Sequence, residues 1–228
     1  MPVVLFLHGA LGSSAQFESL MGKLQNFCEC HSLDFPLHGD NAVSTEFDMA
    51  HFADHIISFI EKNKWEKVSV FGYSMGGYAA LYAATKRPDL FERIATLATK
   101  FKWNEEIATK EKAMLDPEQI EQKIPAFAEQ LRQRHKHIDW KEMVQRTAGL
   151  LDALGTNNLL DSARLQSLPM KIMLGLGDKD SMVTLDETIE TYKQLKLGSL
   201  FILPETKHPL EKVNEDILVS HLRFFFNC

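Results

Sequence analysis

The sequence predicts an α/β protein built on a mostly parallel sheet, and three observations lead there. Short apolar runs recur at Val3–Leu7, Lys67–Phe71, Arg93–Leu97, Lys171–Leu174 and Ser199–Leu203, with the length and character of strands covered on both faces. Between them lie segments whose apolar residues fall at helical spacing, so strand and helix alternate. Size agrees: 228 residues, 45% hydrophobic and 25% charged, suffice for one domain with a sizeable core and one insertion, and exclude a disordered or fibrous chain.

The first run reads as a strand rather than a signal peptide, because no basic region precedes it and His8-Gly9 follows where a small-residue cleavage site would lie. Phe52, Ile56, Phe59 and Ile60 mark one helix, the alanine-rich stretch Met75–Lys86 a second, and Leu185–Leu195 a third. Residues 101–168 break the alternation, with no convincing strand and many helix formers. Within them Asn104 precedes Glu105 and Glu106 as a helix start, and Asp116 precedes Pro117 and Glu118 as another. Pro125 ends the second helix and opens a third. From Asp139 to Leu154, Met143, Val144, Thr147, Leu150, Leu151 and Leu154 share a face, and Gly155 is the expected stop. The expected organisation is a core of residues 1–100 and 169–228 with a helical cap over 101–168.

Composition narrows the function. Acidic residues outnumber basic ones, 31 to 25, for a net charge of −6, which disfavours nucleic-acid binding through a basic field. Cys28, Cys30 and Cys228 cannot all pair within one chain, and Cys28-Glu29-Cys30 is neither a zinc-ribbon nor a redox spacing, so a reduced, cytoplasmic chain is expected. No run approaches the roughly 18 apolar residues of a spanning helix. His51 and His55, and likewise His135 and His137, lack an HExxH arrangement or a third ligand; they read as surface histidines, and no metal is expected. Arg132, Arg134, Lys136 and Lys141 read as a solvated face. Phe101, Trp103, Phe127 and Trp140 read as helix packing, with one or two lining a pocket.

The most specific signal is Gly72-Tyr73-Ser74-Met75-Gly76-Gly77, between a strand and an alanine-rich helix. This is the context of a nucleophile elbow: the serine sits on a sharp, strained turn, and side chains at Gly72 and Gly76 would collide with neighbouring backbone. The helix beginning at Met75 turns its free N–H groups toward the reacting centre. A second signal, His8-Gly9-Ala10-Leu11-Gly12, follows the first strand directly.

Together these motifs resemble the α/β-hydrolase superfamily. Asp34-Phe35-Pro36-Leu37-His38-Gly39-Asp40 is similar to that family's D-x-P-G-x-G loop, with Leu37 where glycine is usual, and reads as a surface loop with no catalytic part for His38. The resemblance implies an oxyanion hole made by the backbone N–H groups of Ala10 and Met75, with Leu11 the competitor of Ala10, while His8 braces the loop. An activated serine needs a histidine base oriented by a carboxylate, and in this family the order is Ser, acid, His. Gly177-Asp178-Lys179-Asp180-Ser181-Met182-Val183 resembles the acid loop. Spacing leaves Asp178 and Asp180 both open, and the resemblance places the acid at Asp180. His208, after the last strand, is the implied base, since one helix and one strand fit between it and Asp180; His221 is the alternative. The chain begins at what would be the family's third strand, implying a sheet of about six strands with a bare edge that favours pairing between two copies.

The activity implied is a serine hydrolase acting on a small or medium carboxylic ester or thioester through an acyl-enzyme on Ser74, with a small-molecule substrate and no cofactor. Two alternatives use the same fold. One is a lyase like those of the menaquinone pathway, or a carbon–carbon bond hydrolase; such lyases carry arginine after the elbow glycines, where this chain has Tyr78. The other is a catalytically silent binding protein. A haloalkane dehalogenase is disfavoured because its nucleophile is aspartate.

Overall fold

The computed structural model describes residues 1–42 and 46–228. Its centre is one sheet of six strands in the order β2-β1-β3-β4-β5-β6, every neighbouring pair parallel. The strands are β1 (Val3–Leu7), β2 (Glu29–Leu33), β3 (Val68–Tyr73), β4 (Phe91–Leu97), β5 (Lys171–Gly177) and β6 (Gly198–Leu203). Five of them correspond to the apolar runs of the sequence: β1 matches its run, β4, β5 and β6 extend theirs by up to three residues at one end, and β3 starts one residue later and ends two residues later than its run. The sixth, β2, was not legible. Glu29-Cys30-His31-Ser32-Leu33 lies at the sheet edge, pairs only with β1 and is mostly half-exposed, so it needs no apolar run.

Alternation along the strands sends side chains into two layers. Leu5, Leu7, Val68, Val70, Ile172 and Leu174 meet helices α2 (Met49–Lys62) and α3 (Met75–Lys86) on one face. Val4, Phe6, Phe71, Ala95 and Leu203 meet α1 (Glu18–Leu24) and α10 (Glu215–Phe226) on the other. The chain leaves β1 for β2 on one side and returns to β3 on the other, so the C-terminal ends of β1 and β3 flank the point where strand order reverses. Open α/β sheets hold their ligands at such a crevice.

Five helices, α4 (Glu105–Lys112), α5 (Pro117–Lys123), α6 (Pro125–Arg134), α7 (Trp140–Thr156) and α8 (Ser162–Ser167), lie between β4 and β5. Asn104 and Asp116 cap α4 and α5 by accepting backbone N–H groups, as their positions predict, and Asp139 caps α7 in the same way. Ile120, Ala128, Leu131, Trp140, Met143 and Val144 form a small apolar cluster that also takes in Leu11, from the loop after β1. The expected stop at Gly155 is corrected: α7 runs on to Thr156, and the glycine is a contact point between helices. A Cβ there would lie 2.5 Å from Ala108 Cβ and 3.0 Å from the Asn104 carbonyl oxygen, so α4 and α7 approach closely only because position 155 has no side chain. α8 was not foreseen; its Leu165 packs into the α3 side of the core. The helix α9 (Leu185–Tyr192) links β5 to β6.

Gly155→Val forces those helices apart and is expected to lower unfolding free energy by about 1–3 kcal/mol. Urea denaturation checks this, and an unchanged midpoint would contradict the contact.

Candidate active site

β3 ends at Tyr73, and the next residue turns the chain sharply. Ser74 has φ 51° and ψ −118°, a left-handed conformation costing about 1–3 kcal/mol for a side-chain-bearing residue. Neighbours hold it there: its N–H donates to the Leu97 carbonyl at 2.8 Å, and its own carbonyl accepts from the Thr99 hydroxyl at 3.0 Å. The flanking glycines are required sterically. A Cβ on Gly72 would stand 2.5 Å from the Gly77 backbone, and one on Gly76 would stand 2.3 Å from the Leu7 carbonyl oxygen. Met75 opens α3, so its N–H has no helical acceptor.

Ser74, His208 and Asp180 come together at this edge. Ser74 Oγ lies 3.4 Å from His208 Nε2, and His208 Nδ1–H donates to Asp180 Oδ2 at 2.8 Å. That bond leaves Nε2 as the acceptor facing the hydroxyl. Asp180 Oδ1 accepts from the Met182 and Val183 amides at 2.8 and 2.9 Å, so the carboxylate is fully oriented. Burial pushes its pKa up, but the hydrogen bonds from His208, Val183 and Met182 outweigh that and hold the carboxyl below its ordinary value. Asp178 is elsewhere: its Oδ1 accepts from the Thr206 N–H at 3.2 Å and steadies the turn after β6. His221 donates to the Ile217 carbonyl within α10 and stacks on Phe201. Tyr73, which the sequence did not single out, donates its hydroxyl to the His208 carbonyl at 2.8 Å and so ties the histidine loop to the elbow.

The loop after β1 is held by three buried imidazoles. His8 Nδ1–H donates to the Gly9 carbonyl and Nε2 accepts from the Phe35 N–H, bracing as expected. His135, however, is not a surface residue. It is 1% exposed at the end of α6, accepts from the Gly39 N–H at 2.8 Å and donates to the Leu11 carbonyl at 3.1 Å. Arg134 departs from the solvated face as well, donating to the same carbonyl at 2.9 Å. The Asp34–Asp40 segment is corrected too. Phe35 through Gly39 are buried, with the His38 ring 4.9 Å from that of His8 and 5.8 Å from that of His135. Leu37 has φ 58°, so the departure from glycine places a side chain at a left-handed position. None of this was visible in sequence, because each contact joins segments far apart along the chain. His51 and His55 are half-buried and His137 is exposed.

A cavity of about 360 Å³ opens onto Ser74 and His208. Ala10, Leu11 and Met75 line it beside the serine, and the inserted helices supply much of the rest, including Ile120, Phe127, Leu150 and Leu154. Trp103 and Phe127 are the aromatics of the 101–168 segment that reach it. Tyr78 also lines it, but its hydroxyl is committed to Asn158 Oδ1 at 2.7 Å and accepts from the Leu160 N–H. Among the described residues, no group of three or more His, Cys, Asp or Glu side chains is arranged to hold a metal ion, and no helix is long and apolar enough to cross a membrane.

Comparison with known proteins agrees with this architecture. A family model described as alpha/beta hydrolase fold matches residues 2–139, and the chain belongs to that family. Ethanol acetyltransferase 1 of Hanseniaspora uvarum is 31% identical over 91 residues, 39% of this chain and 27% of that protein. Pimeloyl-(acyl-carrier protein) methyl ester esterase of Neisseria meningitidis serogroup B is 31% identical over 96 residues, 42% of this chain and 36% of its own. The chain thus spans about a third or less of the length of these curated relatives. In three dimensions E-2-(acetamidomethylene)succinate hydrolase shares the fold over 100% of this chain and 92% of its own, with a TM-score of 0.79 at 19% identity.

The buried imidazoles make stability fall in mild acid. Burial lowers the pKa of His8 to about 3 and that of His135 to about 4, and lowers His38 as well. Below the unfolded value of about 6.5 the unfolded chain gains protons that the folded chain refuses, so unfolding free energy should drop by up to ~1.4 kcal/mol per pH unit per imidazole between pH 6.5 and 4.5. Urea titrations at pH 7, 6 and 5 measure this slope. A flat profile over that range would contradict neutral burial.

Proposed function

We propose that the chain is a serine hydrolase cleaving a small or medium carboxylic ester or thioester through an acyl-enzyme on Ser74. The observation that carries this reading is the hydrogen-bonded line from the Ser74 hydroxyl through His208 to Asp180, opening onto an apolar cavity. His208 Nε2 takes the hydroxyl proton as Oγ attacks the carbonyl carbon, and Asp180 stabilises the imidazolium that forms. The N–H groups of Ala10 and Met75 receive the oxyanion; removing one such donor typically costs about 100- to 1000-fold in rate. His208 then returns the proton to the leaving alcohol or thiol, and water repeats the attack on the acyl-enzyme. The 3.4 Å serine–histidine separation suits a resting site that tightens when substrate is bound.

Residues 101–168 act as the cap that shapes the acyl or leaving-group pocket. Their apolar lining favours hydrocarbon over charged chains. The names of the two curated relatives, an acetyltransferase and a methyl ester esterase, both describe acyl chemistry at an ester oxygen, which supports the reading. The lyase alternative gains nothing from Tyr78, which is a neutral side chain with its hydroxyl already committed.

A fluorophosphonate probe should label the wild type and fail on Ser74→Ala, read by intact mass. On p-nitrophenyl esters of increasing acyl length, Asp180→Asn should lose about 10⁴-fold in kcat, by analogy with the loss of tautomer control in other triads, while Asp178→Asn stays within about threefold. Probe labelling with no turnover of any ester would overturn the esterase reading, and equal losses at both aspartates would overturn the assignment of the acid.

A further inference from the structure

One part of the cavity wall does not match its apolar surroundings. Lys100, Trp103 and Glu111 all line the cavity that reaches Ser74. Lys100 Nζ sits between two buried carboxylates, 3.6 Å from Glu111 Oε1 and 3.6 Å from Glu187 Oε2. Glu187 has a structural task that accounts for its burial. Its Oε1 accepts the Phe101 and Lys102 N–H groups at 2.9 and 3.1 Å, and its Oε2 accepts from Thr184 at the start of α9. Glu111 has no comparable set of partners. It is 6% exposed, yet its Oε2 has no hydrogen-bond partner among the described residues, and the same is true of the buried Nε1–H of Trp103.

Folding alone does not account for this arrangement. A buried carboxylate oxygen and a buried indole N–H left unpaired are both unfavourable. Glu111 also lies in the last turn of α4, where the helix dipole disfavours an anion. One ammonium shared by two carboxylates leaves the cluster with a formal charge of −1, so a further anion would be repelled. Thr147, the remaining polar side chain that the inserted segment adds to the lining among the described residues, is already satisfied, its hydroxyl donating to the Met143 carbonyl at 2.8 Å.

Resting on the reading of Ser74 as the nucleophile, we infer that Trp103 and Glu111, which line the same cavity, form a second, polar subsite that receives a hydroxyl group on an otherwise apolar substrate. A hydroxyl is the smallest group that gives and accepts at once: its hydrogen goes to Glu111 Oε2, and its oxygen accepts from Trp103 Nε1–H. An alkyl terminus leaves both protein groups unpaired, and a carboxylate meets the charge of Glu111. The substrate class is therefore a hydroxy-substituted ester or thioester, with the apolar cavity wall holding the chain between hydroxyl and carbonyl.

Matched alkyl fluorophosphonates ending in methyl, hydroxyl or carboxylate, at four to ten carbons, test this on the intact protein. Phosphonylation of Ser74 breaks P–F and forms Oγ–P, fluoride leaving as His208 takes the hydroxyl proton, and intact mass gives its rate. At one chain length the hydroxyl probe should react at least about tenfold faster than its methyl counterpart, because a site with paired polar groups rejects the analogue that lacks them. The carboxylate probe should be slower than both. Trp103→Phe, which keeps an aromatic ring and deletes the N–H, should reduce the hydroxyl-to-methyl ratio at least about fivefold, and Glu111→Leu should do the same. Damage to the fold lowers both rates together and leaves the ratio at its wild-type value, so an unchanged ratio in Trp103→Phe overturns the subsite even where Glu111→Leu fails to fold. A wild-type ratio near one at every length, with Ser74 still labelled, overturns the subsite and spares the nucleophile. Absence of Ser74 labelling by every probe overturns the nucleophile and the subsite with it.

Discussion

The left-handed backbone at Ser74 is the constraint on which the site depends. It turns the chain from β3 into α3 within one residue and frees the first amides of that helix, and it is possible only because two glycines let backbone pack on backbone. The strain is balanced outside the turn itself. Leu97 on β4 receives the Ser74 N–H, Thr99 beyond β4 binds its carbonyl, and β1 presses against Gly76 through Leu7. Three central strands therefore determine where one hydroxyl points, and a site on such a frame is positioned by the core rather than by a loop.

The loop after β1 shows how the inserted helices and the sheet are bound into one unit. Leu11 has φ 58°, packs into the helical cluster, and has its carbonyl held by both Arg134 and His135 at the end of α6. His135 also receives the Gly39 N–H, so one imidazole joins the inserted segment to two loops at the C-terminal edge of the sheet. Pocket shape and the backbone beside Ser74 are consequently coupled: a change in how α6 docks is felt at Leu11, next to the proposed oxyanion donor Ala10.

What could be read from sequence divides along the same physical line. Local geometry leaves a local record, so the strand–turn–helix around Ser74 and the caps at Asn104 and Asp116 were legible. Features created by tertiary contact left none. β2 is a strand because β1 lies beside it, despite a run as polar as Glu29-Cys30-His31-Ser32. Gly155 has the pattern of a stop signal, but the Ala108 methyl across the helix pair accounts for it. His135 and His38 read as surface residues because nothing near them in sequence foretells burial. Asp178 and Asp180 are two residues apart on one loop, and only folding gives one of them the Thr206 amide and the other the imidazole.

The four imidazoles near this edge also differ in a way that bears on which can act as a base. His8 and His135 use both ring nitrogens on backbone groups, and His38 uses Nδ1 on the Pro36 carbonyl; Arg134 beside His8 and His135 further disfavours a positive ring there. Protonating any of the three adds a buried charge; Asp34, its Oδ1 4.0 Å from His8 Nε2, offsets this only in part, and burial drives their pKa values down. His208 alone among them donates to a buried carboxylate and directs its other nitrogen at a hydroxyl. The carboxylate at its Nδ1 is itself oriented by the Met182 and Val183 amides, an arrangement that the other three rings lack. Four similar side chains thus separate into three braces and one candidate base, and the difference is made by what the fold places at Nδ1.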